Sequence, residues 1–97
     1  MKKGKLKTTK WDAVDYLKTD KDMADYLEAA MEDGHPVVIA TAIGNIARAK
    51  GMTQVARKAG IGRVSLYKAL SPEGNPEFAT VLKVVKALGL RLHATTS

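Results

Sequence analysis

The sequence contains no cysteine and no long apolar run. Its 97 residues can therefore form neither a disulfide nor a thiolate metal site, which excludes the stapled folds of small secreted domains. No apolar stretch approaches the ~18 residues that a membrane-spanning helix needs. The basic start MKKGKLKTTKWD is not followed by the apolar segment of a secretory signal. We therefore expect one small domain that acts in the cytoplasm, away from any membrane.

Aromatic residues and histidines are also few. One Phe, one Trp and three Tyr provide few stacking platforms for single-stranded nucleic acid, whose binding proteins generally use several. The two histidines, His35 and His93, are far apart in sequence and have no cysteine partners for a metal site. The serines lie in neither a phosphate-binding loop nor a nucleophile elbow. The sequence predicts a protein that is not an enzyme and that uses no metal or cofactor.

Charge is plentiful but unevenly distributed. The net charge is +6, from 16 Lys and Arg against 10 Asp and Glu. Residues 11–33 include eight acidic and two basic residues, whereas residues 48–68 include six basic residues and no acidic one. A basic region on a small domain favours a polyanionic partner, most simply nucleic acid. The alternative, for the basic and the acidic region alike, is a solvated surface that binds nothing.

Helical spacing dominates the chain after residues 1–10, which we expect to form a flexible basic tail ahead of a single domain over residues 11–97. A short amphipathic segment is predicted at 11–17, and helices at 20–33, 36–50, 54–59, 63–70 and 76–88. Thr19, Thr53 and Asn75 are the predicted N-caps. The predicted core stripes are Met23, Leu27, Ala30 and Met31 in the first helix and Phe78, Val81, Leu82, Val85 and Leu88 in the last. Alternation over residues 90–95 predicts a C-terminal β-strand, which pairing across a two-fold axis would stabilise.

Residues 51–76, GMTQVARKAGIGRVSLYKALSPEGNP, place two short helices almost end to end. Gly60 supplies the positive φ that a chain reversal requires, and Ala56 is small where the two helices would touch. The inward positions are all apolar: Val55, Ala59, Ile61, Leu66 and Ala69. This pattern predicts a helix-turn-helix unit, whose second helix fits the major groove of DNA.

The outward side chains of this unit suit contact with duplex DNA. Arg63 can donate two hydrogen bonds to guanine O6 and N7, and Val64 can contact a thymine methyl group. Tyr67 and Lys68 lie one turn later, within reach of a phosphate or a base, and the start of the first helix can bind a phosphate. The predicted DNA-binding residues are Thr53, Gln54, Arg57, Gly62, Arg63, Val64, Ser65, Tyr67 and Lys68.

The run GMTQVARKAGIGRVSLYKALSPEGNPEFATVLKVVKALGLRL resembles the lambda-repressor-like, or XRE-type, helix-turn-helix domains. Within it, ARKAGIGRVSLYKALSPEGNP and FATVLKVVKALGLRL are similar to the HigA-like addiction-module antidotes, and the likeness extends upstream through YLEAAMEDGHPVVIATAIGNIARAKGM. The resemblance implies an all-α bundle of about five helices. It also implies a dimeric bacterial antitoxin that neutralises a small toxin, often a ribosome-dependent mRNA nuclease, and represses its own operon. Many relatives carry Ser or Thr in place of Gly62, so this chain lacks a hydroxyl that can bond a phosphate.

Three functions therefore stand as expectations. The first is a DNA-binding antitoxin of a type II toxin-antitoxin system, with an operator palindrome, a second copy of the chain and a protein toxin as partners. A stand-alone helix-turn-helix repressor is the second, and a protein-binding module that uses the fold only as a scaffold is the third. In the antitoxin, the acidic region can dock a basic toxin, with Trp11 and Tyr16 as aromatic anchors.

Overall fold

The computed structural model of the chain describes residues 12–96, in which every regular element is a helix and no strand occurs. The elements are a 3-10 helix (Ala13–Tyr16) and five α-helices, α1 (Asp20–Asp33), α2 (Pro36–Lys50), α3 (Met52–Ala59), α4 (Arg63–Ala69) and α5 (Phe78–Ala87). This confirms the predicted all-α class with five helices. The predicted flexible tail at residues 1–10 and the predicted anchor Trp11 lie outside the described residues.

Helix α1 begins at the predicted N-cap, Thr19, which forms a capping box with Asp22. The Thr19 hydroxyl accepts a hydrogen bond from the Asp22 N–H at 3.0 Å, and the Asp22 carboxylate accepts one from the Thr19 N–H at 3.1 Å. These bonds satisfy two N–H groups that the first turn of a helix leaves without a partner. Gly34 ends the helix in the left-handed region, with φ +79°, where glycine has no side chain to clash.

Two predicted N-caps are wrong. Gly51, with φ +109°, both ends α2 and precedes α3, so Thr53 lies within the first turn of α3 and makes no capping bond. Asn75 has φ +69°, whereas an N-cap residue needs extended backbone, and Glu77 takes that role instead. Helix α5 consequently starts at Phe78, two residues after the predicted Pro76.

The core lies around α2, which packs against the 3-10 helix, α1 and α3, while α3 also packs against α4 and α5. Its largest fully buried side chains are Ile43, Ile46, Val55, Leu66, Val84 and Leu88. Burying one such side chain stabilises the fold by ~1.5–3 kcal/mol. Because members of this set come from α2, α3, α4 and α5, these four helices depend on one another for their stability.

The predicted core stripes are wrong at three positions. Phe78 and Leu82 of α5 are 69% and 44% exposed, and Met31 of α1 is 42% exposed. The buried stripe of α5 instead includes Val84, which is fully buried beside Val85. Leu82 stands one residue from Val81, which turns it ~100° around the helix and away from that stripe.

The predicted C-terminal strand is wrong for the residues that the structure describes. The Leu90 N–H donates to the Val85 carbonyl at 3.1 Å, which closes α5 rather than opening a ladder. Leu90 and Leu92 pack against the core, so their alternation with Arg91 reflects burial on one side of an irregular segment. A strand requires a neighbouring strand to bond with, and residues 12–96 supply none.

Candidate nucleic-acid interface

A tight corner joins α3 to α4. Gly60 has φ +71°, and its N–H donates to the Arg57 carbonyl at 3.2 Å. The next N–H, of Ile61, donates to the Ala56 carbonyl at 3.0 Å. These two bonds form a Schellman motif, which ends a helix by using a left-handed residue, usually glycine. Gly62 then returns to extended backbone and directly precedes α4.

Buried apolar side chains fix α4 against α3. Leu66 is fully buried and Leu70 is nearly so, which anchors the short helix at both of its turns. Val55 and Ala56 of α3 are buried beneath it, and Ala56 leaves room for the two helices to approach. The remaining predicted inward residues, Ala59, Ile61 and Ala69, are half-buried. The predicted inward positions are thus confirmed.

The opposite side of α4 is open. Arg63, Val64, Ser65, Tyr67 and Lys68 are all exposed, and Val64, an apolar residue, is 68% exposed. Val64 thus lies at the surface among cationic side chains, those of Arg63 and Lys68. The helix therefore presents a mixed apolar and cationic face.

Arg63 and Tyr67 interact with each other on this face. The Arg63 guanidinium carbon lies 5.5 Å from the centre of the Tyr67 ring, within the range of a cation–π contact. At an exposed site such a contact contributes ~0.5–1 kcal/mol. It favours a position of the arginine above the ring. The i, i+4 spacing of the two residues is the sequence signal for this pair.

The predicted residues of α3 are also exposed. Thr53 and Gln54 lie in its first turn, and Arg57 follows one turn later on the same side of the helix. The structure therefore places all nine predicted DNA-binding residues at the surface of α3, α4 and the corner between them. Their contact with DNA stays a prediction.

The basic region of residues 48–68 does not form one continuous surface of unpaired charge. Arg48 binds Asp12 at 3.2 Å and Lys50 binds Asp20 at 3.0 Å, so the two basic residues at the end of α2 pair with the acidic N-terminal region. The Val14 N–H and then the Arg48 guanidinium lower the pKa of Asp12 below its ordinary value. The other four basic residues of this region make no ion pair within residues 12–96: Arg57, Lys58, Arg63 and Lys68. Unpaired positive charge is thereby concentrated on α3 and α4.

Two further basic residues extend this surface. Lys83 and Lys86 of α5 line a shallow concavity together with Lys50 and Lys58. Lys83 also borders the concavity beside α4, opposite Ser65 and Lys68. Sequence reasoning missed both lysines because they follow the helix-turn-helix segment. Their i, i+3 spacing on the polar side of α5 was the available signal.

The family comparison covers nearly the whole chain. A sequence model of the family described as "probable addiction module antidote protein" matches residues 7–96. The chain belongs to this antidote family. A similar protein from Haemophilus influenzae (strain ATCC 51907 / DSM 11121 / KW20 / Rd), described as an uncharacterized protein, is 45% identical over 87 residues, which is 90% of each chain. No solved structure matches the antidote significantly.

Family membership supports an antitoxin role, whose partner is a toxin. Within residues 12–96 the antidote has no group of His, Asp and Glu side chains arranged to hold a metal ion. None of the helices in the same range is long and apolar enough to cross a membrane.

Proposed function

We propose that this antidote is a DNA-binding antitoxin of a type II toxin-antitoxin system, which represses its own operon and neutralises a cognate toxin. Family membership supports the antitoxin half of the proposal. The mixed face of α4, held by the Leu66 anchor and free of acidic side chains, supports the DNA half. In this proposal the protein acts in the cytoplasm by binding alone, without catalysis.

The corner and its two helices are interpreted as a helix-turn-helix of the XRE type, with α4 as the recognition helix. Arg63 donates to guanine O6 and N7, and Val64 contacts a thymine methyl group. Because Tyr67 favours one position of the Arg63 side chain, part of its rotamer entropy is already lost before the arginine binds a base. Gln54 and Arg57 bind phosphates and set the position of α4 in the groove.

A homodimer completes the proposed mechanism. Two copies of α4 about 34 Å apart read the half-sites of a palindrome, which are one helical turn apart. A HigA-like dimer of this kind makes twice as many phosphate contacts as one copy. Its two-fold symmetry matches the symmetry of the operator palindrome.

The proposal is tested by a mobility shift with duplex DNA from upstream of the coding sequence, against a scrambled duplex at about 150 mM salt. We expect a discrete complex with the upstream duplex only. Arg63→Ala should cost ~1–3 kcal/mol and relax the preference at one base position. Arg91→Ala is the matched control, since this exposed arginine lines a concavity against α1 and does not border α4.

Equal binding of both duplexes would reject sequence-specific recognition. If Arg63→Ala left both the affinity and the base preference unchanged, α4 would not be the reading helix. The scaffold interpretation would then be the better one, with the fold serving protein contact alone.

A further inference from the structure

An apolar groove lies on the surface between the end of α1, the start of α2 and the start of α5, with a volume of about 420 Å³. The loop between α4 and α5 forms one wall and the C-terminal segment forms another. The side chains that define the groove are Met31, Val37, Ile39, Phe78, Val81 and Leu92.

Three of these six apolar side chains are exposed, whereas Ile39, Val81 and Leu92 pack against the core. Phe78 is the most exposed large apolar residue of the described chain, and Met31 and Val37 are each about 40% exposed. Monomeric proteins seldom leave several large apolar side chains together in water unless a partner covers them. The DNA-binding proposal gives these residues no role, because they are not on α3 or α4.

Unpaired acidic residues lie in the groove and in the concavity next to it. Glu73 lines the groove itself, and Glu28 and Glu32 line the adjoining concavity, which shares Met31 and Leu92 with it. None of these three glutamates makes an ion pair or a side-chain hydrogen bond within residues 12–96. No Lys or Arg lines the groove, although Arg91 and His93 border the adjoining concavity.

Four acidic residues nearer the start of the chain already have hydrogen-bonding or ion-pair partners. Asp12, Asp20 and Asp25 pair with Arg48, Lys50 and Lys21, respectively. Asp22 accepts the bonds of the capping box. Apart from Asp15 on the 3-10 helix, the acidic side chains of residues 12–33 that have neither an ion pair nor a capping role lie at the end of α1, near the groove: Glu28, Glu32 and Asp33.

We infer that the apolar groove is the docking site for a segment of the cognate toxin that carries an apolar anchor flanked by Lys or Arg. The inference rests on the proposed antitoxin function. The anchor fills the space beside Phe78 and Met31, and the flanking cations approach the three glutamates, so both the shape and the charge are complementary. Each copy of the chain presents one such groove.

A second copy of the chain suits the groove less well. In a two-fold dimer at this site the groove of one copy faces the groove of the other, and its lining holds Glu73 but no Lys or Arg to pair with it. Like charges brought together across an interface oppose association. We therefore expect the dimer proposed for DNA binding to use another surface.

The probe is the purified protein encoded by the gene adjacent to that of this chain, titrated calorimetrically into the wild type and four variants. Phe78→Ser removes the apolar wall and Glu32→Lys reverses a rim charge. Leu82→Ser is the matched control on α5, since Leu82 is exposed but does not line the groove. Asp15→Lys is the matched charge control, on the 3-10 helix.

We expect Phe78→Ser and Glu32→Lys each to weaken binding by ~10-fold or more, because anchor and charge-pair truncations have effects of this size. Each control should stay within about twofold of the wild type. All variants should shift the upstream duplex as the wild type does, which shows that they are folded.

Wild-type affinity in both groove variants would overturn the docking site while leaving the antitoxin proposal intact. A wild-type chain that binds the duplex but not the adjacent gene's product would overturn the antitoxin proposal and the docking site with it. If Phe78→Ser converted a dimer to a monomer in sedimentation, with toxin affinity unchanged, the groove would be an interface between copies and the inference would be wrong.

Discussion

Gly74 lies directly against the carbonyl oxygens of Lys68 and Ala69, at the end of α4. A methyl group on Gly74 would overlap both oxygens, and neither belongs to a side chain that can rotate away. We expect Gly74→Ala to lower the free energy of unfolding by ~1–3 kcal/mol through this overpacking, measured by urea denaturation. It should also weaken DNA binding, because the clash displaces the end of the proposed reading helix.

Gly62→Ser is the matched control for Gly74→Ala. Gly62 has φ −62°, and a Cβ there meets only the Ser65 hydroxyl, at 3.9 Å. Serine at this N-cap position should leave stability unchanged or raise it by a few tenths of a kcal/mol, about the difference between the two caps. A Gly74→Ala variant as stable as Gly62→Ser would show that the loop after α4 adjusts freely.

The capping box of α1 predicts a pH dependence. The N–H groups of Lys18 and Thr19 bond to the Asp22 carboxylate and lower its pKa below 3.8. Since the folded state lowers this pKa, Asp22 stabilises the fold fully above the unfolded value and loses its contribution as the pH falls through the lower folded value. Asp22→Ala should therefore lower Tm near neutral pH, with a difference that shrinks in acid.

Thermal unfolding of both proteins by circular dichroism, between about pH 7 and about pH 2, measures this difference. Asp15→Ala is the control, as an exposed acidic residue on the neighbouring 3-10 helix. A Tm difference that stayed constant down to the lowest pH would show that the negative charge of Asp22 does not stabilise the cap.

At the scale of elements, the helix ends that were predicted correctly from the sequence are those fixed by hydrogen bonds between nearby residues. The bounds of α1 and the Gly60 corner follow from side chains within a few residues of each end. The start of α5 was misplaced because the Asn75–Pro76 pair is typical of a cap in isolation. In the structure the loop first places Gly74 against the end of α4, and Asn75 then adopts the left-handed region.

Ala56 limits how closely α3 and α4 can pack. It is 5% exposed, and its carbonyl accepts the bond that closes the corner. We expect Ala56→Leu to cost ~1–3 kcal/mol of stability, because three added carbons do not fit between the helices. The same variant should lose specific DNA binding, since the angle between α3 and α4 would change. Urea denaturation and the mobility shift measure the two effects.

Ala29→Leu, on the exposed side of α1, is the control for this variant. It adds the same three carbons at a position that faces water, so stability and DNA binding should both be retained. An Ala56→Leu variant with normal stability and normal DNA binding would contradict the helix-turn-helix interpretation of α3 and α4.

At the scale of the whole molecule, most basic residues that make no ion pair within residues 12–96 lie on α3, α4 and α5. Each lysine that neutralises a phosphate contributes ~0.9 to the slope of log affinity against log salt concentration. We expect Lys83→Ala and Lys86→Ala each to reduce this slope by about one unit per copy, without changing the preferred sequence. The salt dependence of the mobility shift measures it.

Lys21→Ala is the control for these lysines, because Lys21 pairs with Asp25 on α1. Its slope should equal that of the wild type. Unchanged slopes for Lys83→Ala and Lys86→Ala would restrict the DNA contact to α3 and α4.

The two surfaces differed in how far the sequence could predict them. The face of α4 comes from one short segment, so its exposed residues could be assigned from helical spacing around Leu66. The apolar groove combines residues from α1, α2, α5 and the C-terminal segment, and no local pattern reports that they meet. Phe78 was assigned to the core because the sequence pattern at the start of a helix is the same whether the apolar residue there is buried or exposed.

The loop between α4 and α5 borders both surfaces. Ser71, Glu73, Asn75 and Pro76 line the concavity beside α4 on one side and the apolar groove on the other. A ligand that moves this loop from either side therefore changes the surface on the opposite side. Thermodynamic linkage makes any such effect reciprocal: the factor by which a bound toxin changes the affinity for the operator equals the factor by which the operator changes the affinity for the toxin.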